Sequence, residues 1–189
     1  MAEATNQPAE ASRVVADAPE LSRSLTRMAH QILEANQGCE DLVLLGIPTR
    51  GVHLAKRLAK LIEAIEDRPV RLGVLDITMY RDDLRANPTR RVGRTSIPGR
   101  IDDTVVVLVD DVLYSGRTVS AAIDALRDLG RPRAVRLAVL VDRGHRELPI
   151  AADHVGRAMQ TAADERVQVL LDELDGRDEV VISRPGGTR

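Results

Sequence analysis

The run TVVVLVDDV, residues 104–112, constrains the fold more than any other stretch. Its apolar residues are continuous rather than alternating, so the strand they form must be covered on both faces. Such a strand belongs to a parallel sheet held between helices, and the surrounding pattern supplies both. DLVLLGI (41–47), VRLGVLDITMY (70–80) and AVRLAVLVDR (134–143) read as further strands. Residues 20–35, 52–67 and 119–130 read as amphipathic helices; in the first, Leu21, Leu25, Met28, Ala29, Ile32 and Leu33 recur at helical spacing. Gly130 and Pro132 end the third helix. ERVQVLLDEL and EVVISR alternate weakly and read as late strands, and 144–156 reads as irregular. The expected class is therefore α/β, a mostly parallel twisted sheet flanked by helices. Residues 1–18 lack periodicity and are expected to form a flexible arm. Residues 19–184 form one domain, and 185–189 a short tail.

Bulk properties narrow the chemistry. The formal net charge is −2 over 189 residues, so any polyanion site must be a local patch. Cys39 is the only cysteine and cannot close an internal disulfide. Neither an apolar leader nor a membrane-length apolar run is present, so no membrane partner and a cytoplasmic location are expected. His30, His53, His145 and His154 show no metal-ligand spacing. Trp and Phe are absent, and Tyr80 and Tyr114 are the only aromatic side chains outside histidine. The core must be aliphatic, and base stacking on aromatic platforms is essentially unavailable.

In a parallel sheet, ligands bind beyond the carboxyl ends of the strands. Asp110 and Asp111 stand there, at the end of the most buried strand. An unpaired carboxylate in that position is costly to desolvate. Two at the mouth of a site can accept hydrogen bonds from the vicinal hydroxyls of a ribose. The next residues, YSGRT (114–118), open a helix. Ser115 and Thr118 bring hydroxyls, Gly116 permits a tight backbone, and the helix N-terminus brings amides and partial positive charge, which suits a phosphate. A capped acidic strand end explains a lone Asp-Asp equally well, but not the whole stretch. The spacing is neither a nucleoside-triphosphate P-loop nor a dinucleotide-binding turn. The basic stretch 81–100 is too long for a simple connection in a compact domain and reads as a lid.

VVVLVDDVLYSGRT (105–118) resembles the phosphoribosyl-pyrophosphate (PRPP) signature of type I phosphoribosyltransferases. LTRMAHQILE, LLGIPTRGVHLA, DITMYRDDL, TSIPG and LVDRGHRELPI extend the likeness to the pyrimidine operon attenuation regulators, the PyrR family, across residues 20–184. The resemblance implies the type I phosphoribosyltransferase fold, with a flexible lid loop and a small hood. It implies a uracil phosphoribosyltransferase that makes UMP and diphosphate from uracil and PRPP. It also implies a regulator that binds the leader RNA of pyrimidine genes in response to UMP or UTP. Mg2+ is expected to arrive with the diphosphate, with no direct protein ligands.

Under that likeness Asp110, Asp111 and Arg50 are the expected catalytic residues. Thr49, Arg50 and Gly51 hold the leaving diphosphate, and Ser115, Gly116, Arg117 and Thr118 the 5′-phosphate. Tyr80 and Arg81 belong to a lid over about 81–97. Val141, Asp142 and Gly144 lie against uracil. Thr26, Arg27, His30, His145, Arg146 and Arg157 match the family's RNA positions, whereas Ala151 stands where an arginine is typical, which weakens or redirects RNA contact. A solvated helix face accounts for Arg23, Arg27 and His30 without RNA. A phosphoribosyltransferase lacking the RNA role, or acting on another base, is the alternative. A homodimer or larger homo-oligomer is expected.

Overall fold

The structure is a computed structural model that describes residues 12–80 and 94–184. Five parallel strands, ordered β3-β2-β4-β5-β6, form its centre: β2 (Leu42–Gly46), β3 (Arg71–Val74), β4 (Val105–Leu113), β5 (Ala134–Asp142) and β6 (His154–Ala158). Strand β4 lies in the middle, which is why its sequence shows no polar face. Along β2 and β4 the side chains divide between two cores. Leu42, Leu44, Val105, Val107 and Val109 meet helices α1 (Ala18–Asn36) and α2 (Arg50–Glu66). Val43, Leu45, Val106 and Leu108 meet α3 (Arg117–Arg127), whose Ala121, Ala122 and Ala125 bring it close to the sheet. Each fully buried Leu or Val contributes roughly 1.5–3 kcal/mol of transfer free energy, so covering both faces is the main stabilising term.

A second sheet sits apart as the hood. It is antiparallel, ordered β1-β8-β7, from β1 (Ser12–Ala16), β7 (Arg166–Leu170) and β8 (Glu179–Ser183). The short helix α4 (Asp172–Asp175) joins its last two strands. Val169, Leu171 and Val180 merge with the core beneath α1 and α2, so hood and main sheet share apolar packing.

Three expectations need correction. Residues 12–18 are not part of a flexible arm. Ser12 pairs with Ser183 and Arg13 with Ile182, and Asp17 caps α1 through a reciprocal box: its side chain accepts from Glu20 N–H while Glu20 Oε2 accepts from Asp17 N–H. Pairing with a distant strand orders a segment whose own sequence has no periodicity. The strand expected over 70–80 stops at Val74, because Asp76 Oδ1 accepts from Thr78 N–H and turns the chain into a 3-10 turn, Thr78–Tyr80. The segment expected to be irregular up to Gly156 contributes β6 from His154 onward. The expected arm up to residue 11, the tail 185–189 and most of the lid (81–93, including Arg81) lie outside the described residues. The lid's last residues are held: Ser96 exchanges two backbone hydrogen bonds with Val74, both 2.8 Å.

Candidate active site at the sheet rim

The carboxyl ends of β2, β4 and β5 bring three loops together. The joint is Val109, whose carbonyl accepts from Ile47 N–H at 2.9 Å. Gly51, in the first turn of α2, lies directly over it. A Cβ on Gly51 would stand 2.3 Å from Val109 O and 3.2 Å from Asp110 Cα. Only glycine lets the start of α2 approach the aspartates this closely. The Pro48–Thr49 peptide is cis, and Thr49, the N-cap, makes no side-chain bond to the first turn of α2.

Asp110 is 8% exposed and Asp111 half-buried. Their carboxylates organise the strand end themselves: Asp110 Oδ1 accepts from Asp111 N–H and Asp111 Oδ1 from Val112 N–H, both at 2.9 Å. The ladder to β5 runs on past them, with Val112 paired to Val141 and Leu113 to Asp142. Gly116 follows at φ 93°, a left-handed position that favours glycine, and forms the N-cap of α3. Ser115 Oγ accepts from Arg117 N–H at 3.4 Å. Two helix N-termini therefore flank two carboxylates.

The loop after β5 is stitched to the loop that opens α3. Ser115 O accepts from both Glu147 and Leu148 N–H, and Arg143 N–H donates to Leu113 O. The Arg117 guanidinium pairs with Glu147 at 2.7 Å, so its side chain is directed to the neighbouring loop. Val141 is fully buried. Asp142 takes Gly144 N–H on Oδ1 and Arg146 Nη2 on Oδ2. Desolvation opposes its charge, but Arg146 and the Gly144 amide outweigh it and hold the carboxyl below its usual range. Tyr114 packs under the Arg143 guanidinium, 4.3 Å from the ring centre.

The residues expected to meet RNA fall into two groups. Arg146 is a loop staple. Its Nε donates to Ile150 O, Nη1 to Tyr114 O and Gly144 O, and Nη2 to Asp142. His145 is exposed and shares a 2.6 Å contact with Thr161 O. Thr26, Arg27 and His30 lie on the exposed face of α1 beside the edge strand β6. There Arg27 donates to Gly156 O and Arg157 to Glu20, around a shallow depression that Arg23 also lines.

Tyr80, expected over PRPP, donates its hydroxyl to Asp128 at 2.6 Å, beyond the end of α3; that bond keeps the phenol protonated above its ordinary range. Arg50 is the first residue of α2 and reaches the hood: Nη2 lies 2.9 and 3.0 Å from the two oxygens of Asp175. Further along α2, Arg57 makes four bonds to Glu173 and Asp178. Sequence reasoning missed these hood carboxylates. The acidic run D-E-L-D-G-R-D was visible, but not its partners 116 to 125 residues away.

No group of three or more His, Cys, Asp or Glu among the described residues is placed to hold a metal ion. No helix among them is long and apolar enough to cross a membrane.

Comparison with known proteins agrees with this geometry. Residues 13–170 match the phosphoribosyl transferase domain family. The chain is 59% identical over 180 residues to the Bifunctional protein PyrR of Leifsonia xyli, covering 93% of this chain and 98% of that protein. It is 61% identical over 172 residues to that of Streptomyces coelicolor, covering 90% and 89%. It is 57% identical over 181 residues to that of Mycobacterium tuberculosis, covering 92% and 94%. Among solved structures, a hypoxanthine phosphoribosyltransferase of Trypanosoma cruzi superposes with a TM-score of 0.70 at 18% identity, covering 92% of this chain and 97% of that one. One from Staphylococcus aureus gives 0.67 at 18%, covering 92% and 93%. At that identity the likeness speaks for the fold alone. The match over most of the domain and the high identity to named relatives lead to one conclusion: this chain belongs to the phosphoribosyl transferase domain family and, within it, to the PyrR family.

Proposed function

We propose that this chain transfers the phosphoribosyl group of PRPP to uracil, releasing diphosphate and UMP, and that it binds pyrimidine leader RNA in response to uridine nucleotides. The observation that supports the first half best is the contact of Gly51 with Val109 and Asp110. It sets the start of α2, the two carboxylates and the start of α3 around one rim.

In this reading α3's first turn and Ser115 and Thr118 hold the 5′-phosphate, and Asp110 and Asp111 take the ribose hydroxyls. Thr49, Arg50 and the first amides of α2 hold the diphosphate. Its departure leaves positive charge on the sugar, which the two carboxylates stabilise by position rather than by proton transfer. Backbone groups of Val141, Asp142 and Gly144 read the base. The rim offers adjacent carboxylates and, among the described residues, no closed cage, which fits an ion that keeps water and phosphate ligands; Mg2+ carried in with the diphosphate would supply charge neutralisation of its oxygens. Assays with uracil, hypoxanthine, guanine and orotate test the base. Uracil should be the preferred acceptor, and a purine preference would reject it.

RNA binding is assigned to Thr26, Arg27, His30 and Arg157, with His145 at the next loop. Arg146 supports that loop from inside. Arg27→Gln should weaken UMP-dependent RNA binding and lower its salt dependence, with uracil turnover unchanged. RNA affinity that ignores UMP in the wild type would contradict the regulatory half.

A further inference from the structure

Arg50 is bound in an incomplete way. Both oxygens of Asp175 accept from the single nitrogen Nη2, so the pair is not the side-by-side fork that makes arginine–carboxylate bonds strong. The Nε of Arg50 is buried and has no hydrogen-bond partner. The two side chains are 25% and 22% exposed, so water screens the pair only in part. Asp175 itself is fixed: its Oδ2 also accepts from Leu171 N–H at 2.9 Å, which ties it across α4. A fixed carboxylate thus holds a guanidinium that has a donor to spare. A diphosphate presents several oxygens and can satisfy Nη2 and Nε together. Asp175 can satisfy only one.

We propose that Asp175 is a positioning residue for the diphosphate end of the reaction. It parks the Arg50 guanidinium against the hood, and diphosphate oxygens must draw Arg50 away from it to bind. Asp175 touches no substrate; it sets how readily Arg50 engages PRPP and how readily it lets diphosphate go. The inference rests on the reading of Arg50 as a diphosphate ligand. Arg57 supplies the reason that this exchange leaves the hood in place, because its four bonds to Glu173 and Asp178 hold α4 to α2 independently.

The test is product inhibition. In Asp175→Asn, which keeps an oxygen for Leu171 N–H, the inhibition constant for diphosphate and the KM for PRPP should both fall, by about three- to fivefold, the range of a partly exposed ion pair. Inhibition by UMP and the KM for uracil should not move. A merely structural role would change all four together. Asp175→Glu restores the charge and should return the diphosphate constant toward wild type. Unchanged or weaker diphosphate inhibition in Asp175→Asn overturns the inference. A wild-type crystal structure with diphosphate gives a second reading that needs no variant: Arg50 should have left Asp175, and an intact pair beside bound diphosphate overturns the proposal. If Arg50→Ala leaves diphosphate inhibition untouched, the assignment of Arg50 fails first and takes this inference with it. If Arg50→Ala abolishes that inhibition while Asp175→Asn does nothing, only the role of Asp175 is wrong.

Discussion

The two halves of α2 use the same side chain for different ends. At its start Arg50 reaches the hood, shares one nitrogen with one carboxylate and leaves its Nε unpaired. About two turns later Arg57 is gripped by two carboxylates through three nitrogens. Its proton is held far more tightly than usual, first through the bond to Asp178 and then through that to Glu173. The difference teaches how to tell a functional arginine from a structural one in a ligand-binding domain. An arginine saturated by protein, such as Arg57, reads as structural; one left wanting acceptors, such as Arg50, is the candidate for a ligand.

That contrast can be broken by substitution. Arg50→Ala should cost the most in catalysis, about 10²–10³ in kcat/KM, the effect of removing one well-placed charged donor. Its melting temperature should stay near wild type, since the Arg57 clamp remains. A fall in stability with turnover preserved would reverse the roles. Gly51→Ala tests the frame between them. A methyl group cannot coexist with Val109 O at 2.3 Å, so α2 must retreat from β4. A loss of about 3 kcal/mol is expected in urea unfolding, together with a raised KM for PRPP. A variant that unfolds like wild type would show that the close approach is not required.

Arg57→Ala should do the opposite of Arg50→Ala: a stability loss of about 2 kcal/mol, discounted for partial exposure, with kcat little changed. Its pH dependence sharpens the point. Arg57 holds the carboxyls of Glu173 and Asp178 below their ordinary values of 4.5 and 3.8. A lowered folded pKa adds stability that is complete above the ordinary value and is lost as pH falls through the lowered one. Wild-type stability should therefore decline from about pH 5 downward more steeply than that of Arg57→Ala. Parallel acid titrations of the two proteins would contradict the clamp.

The parallel sheet was legible because its signal is local. Continuous apolar runs end at loops rich in Gly, Ser and Thr, and each strand reports its own burial. Asp110, Asp111 and Gly116 were legible for the same reason, since a strand end followed by a helix start already implies the rim. The hood was only half legible. Strands β7 and β8 showed weak alternation, but β1 has none to show, and only its pairing with β8 explains it. Asp17 and Glu20 did carry a capping-box signal three residues apart, which places the helix start ahead of Glu20. The contacts of Arg146 were not legible, for a physical reason. A basic residue in a loop looks solvated until the surrounding carbonyls of Tyr114, Gly144 and Ile150 are known to converge on it. The place of Arg50 between a strand and a helix was legible, but its bond to Asp175 depends on a contact across most of the chain.

The rim account is tested most directly by titrating PRPP with Mg2+ into the wild type and into Asp111→Asn, and following diphosphate release on adding uracil. The wild type should release diphosphate only when uracil is present, and Asp111→Asn should fold normally yet lose most of that turnover. Undiminished release by Asp111→Asn would mean that the sugar is held somewhere other than at the end of β4.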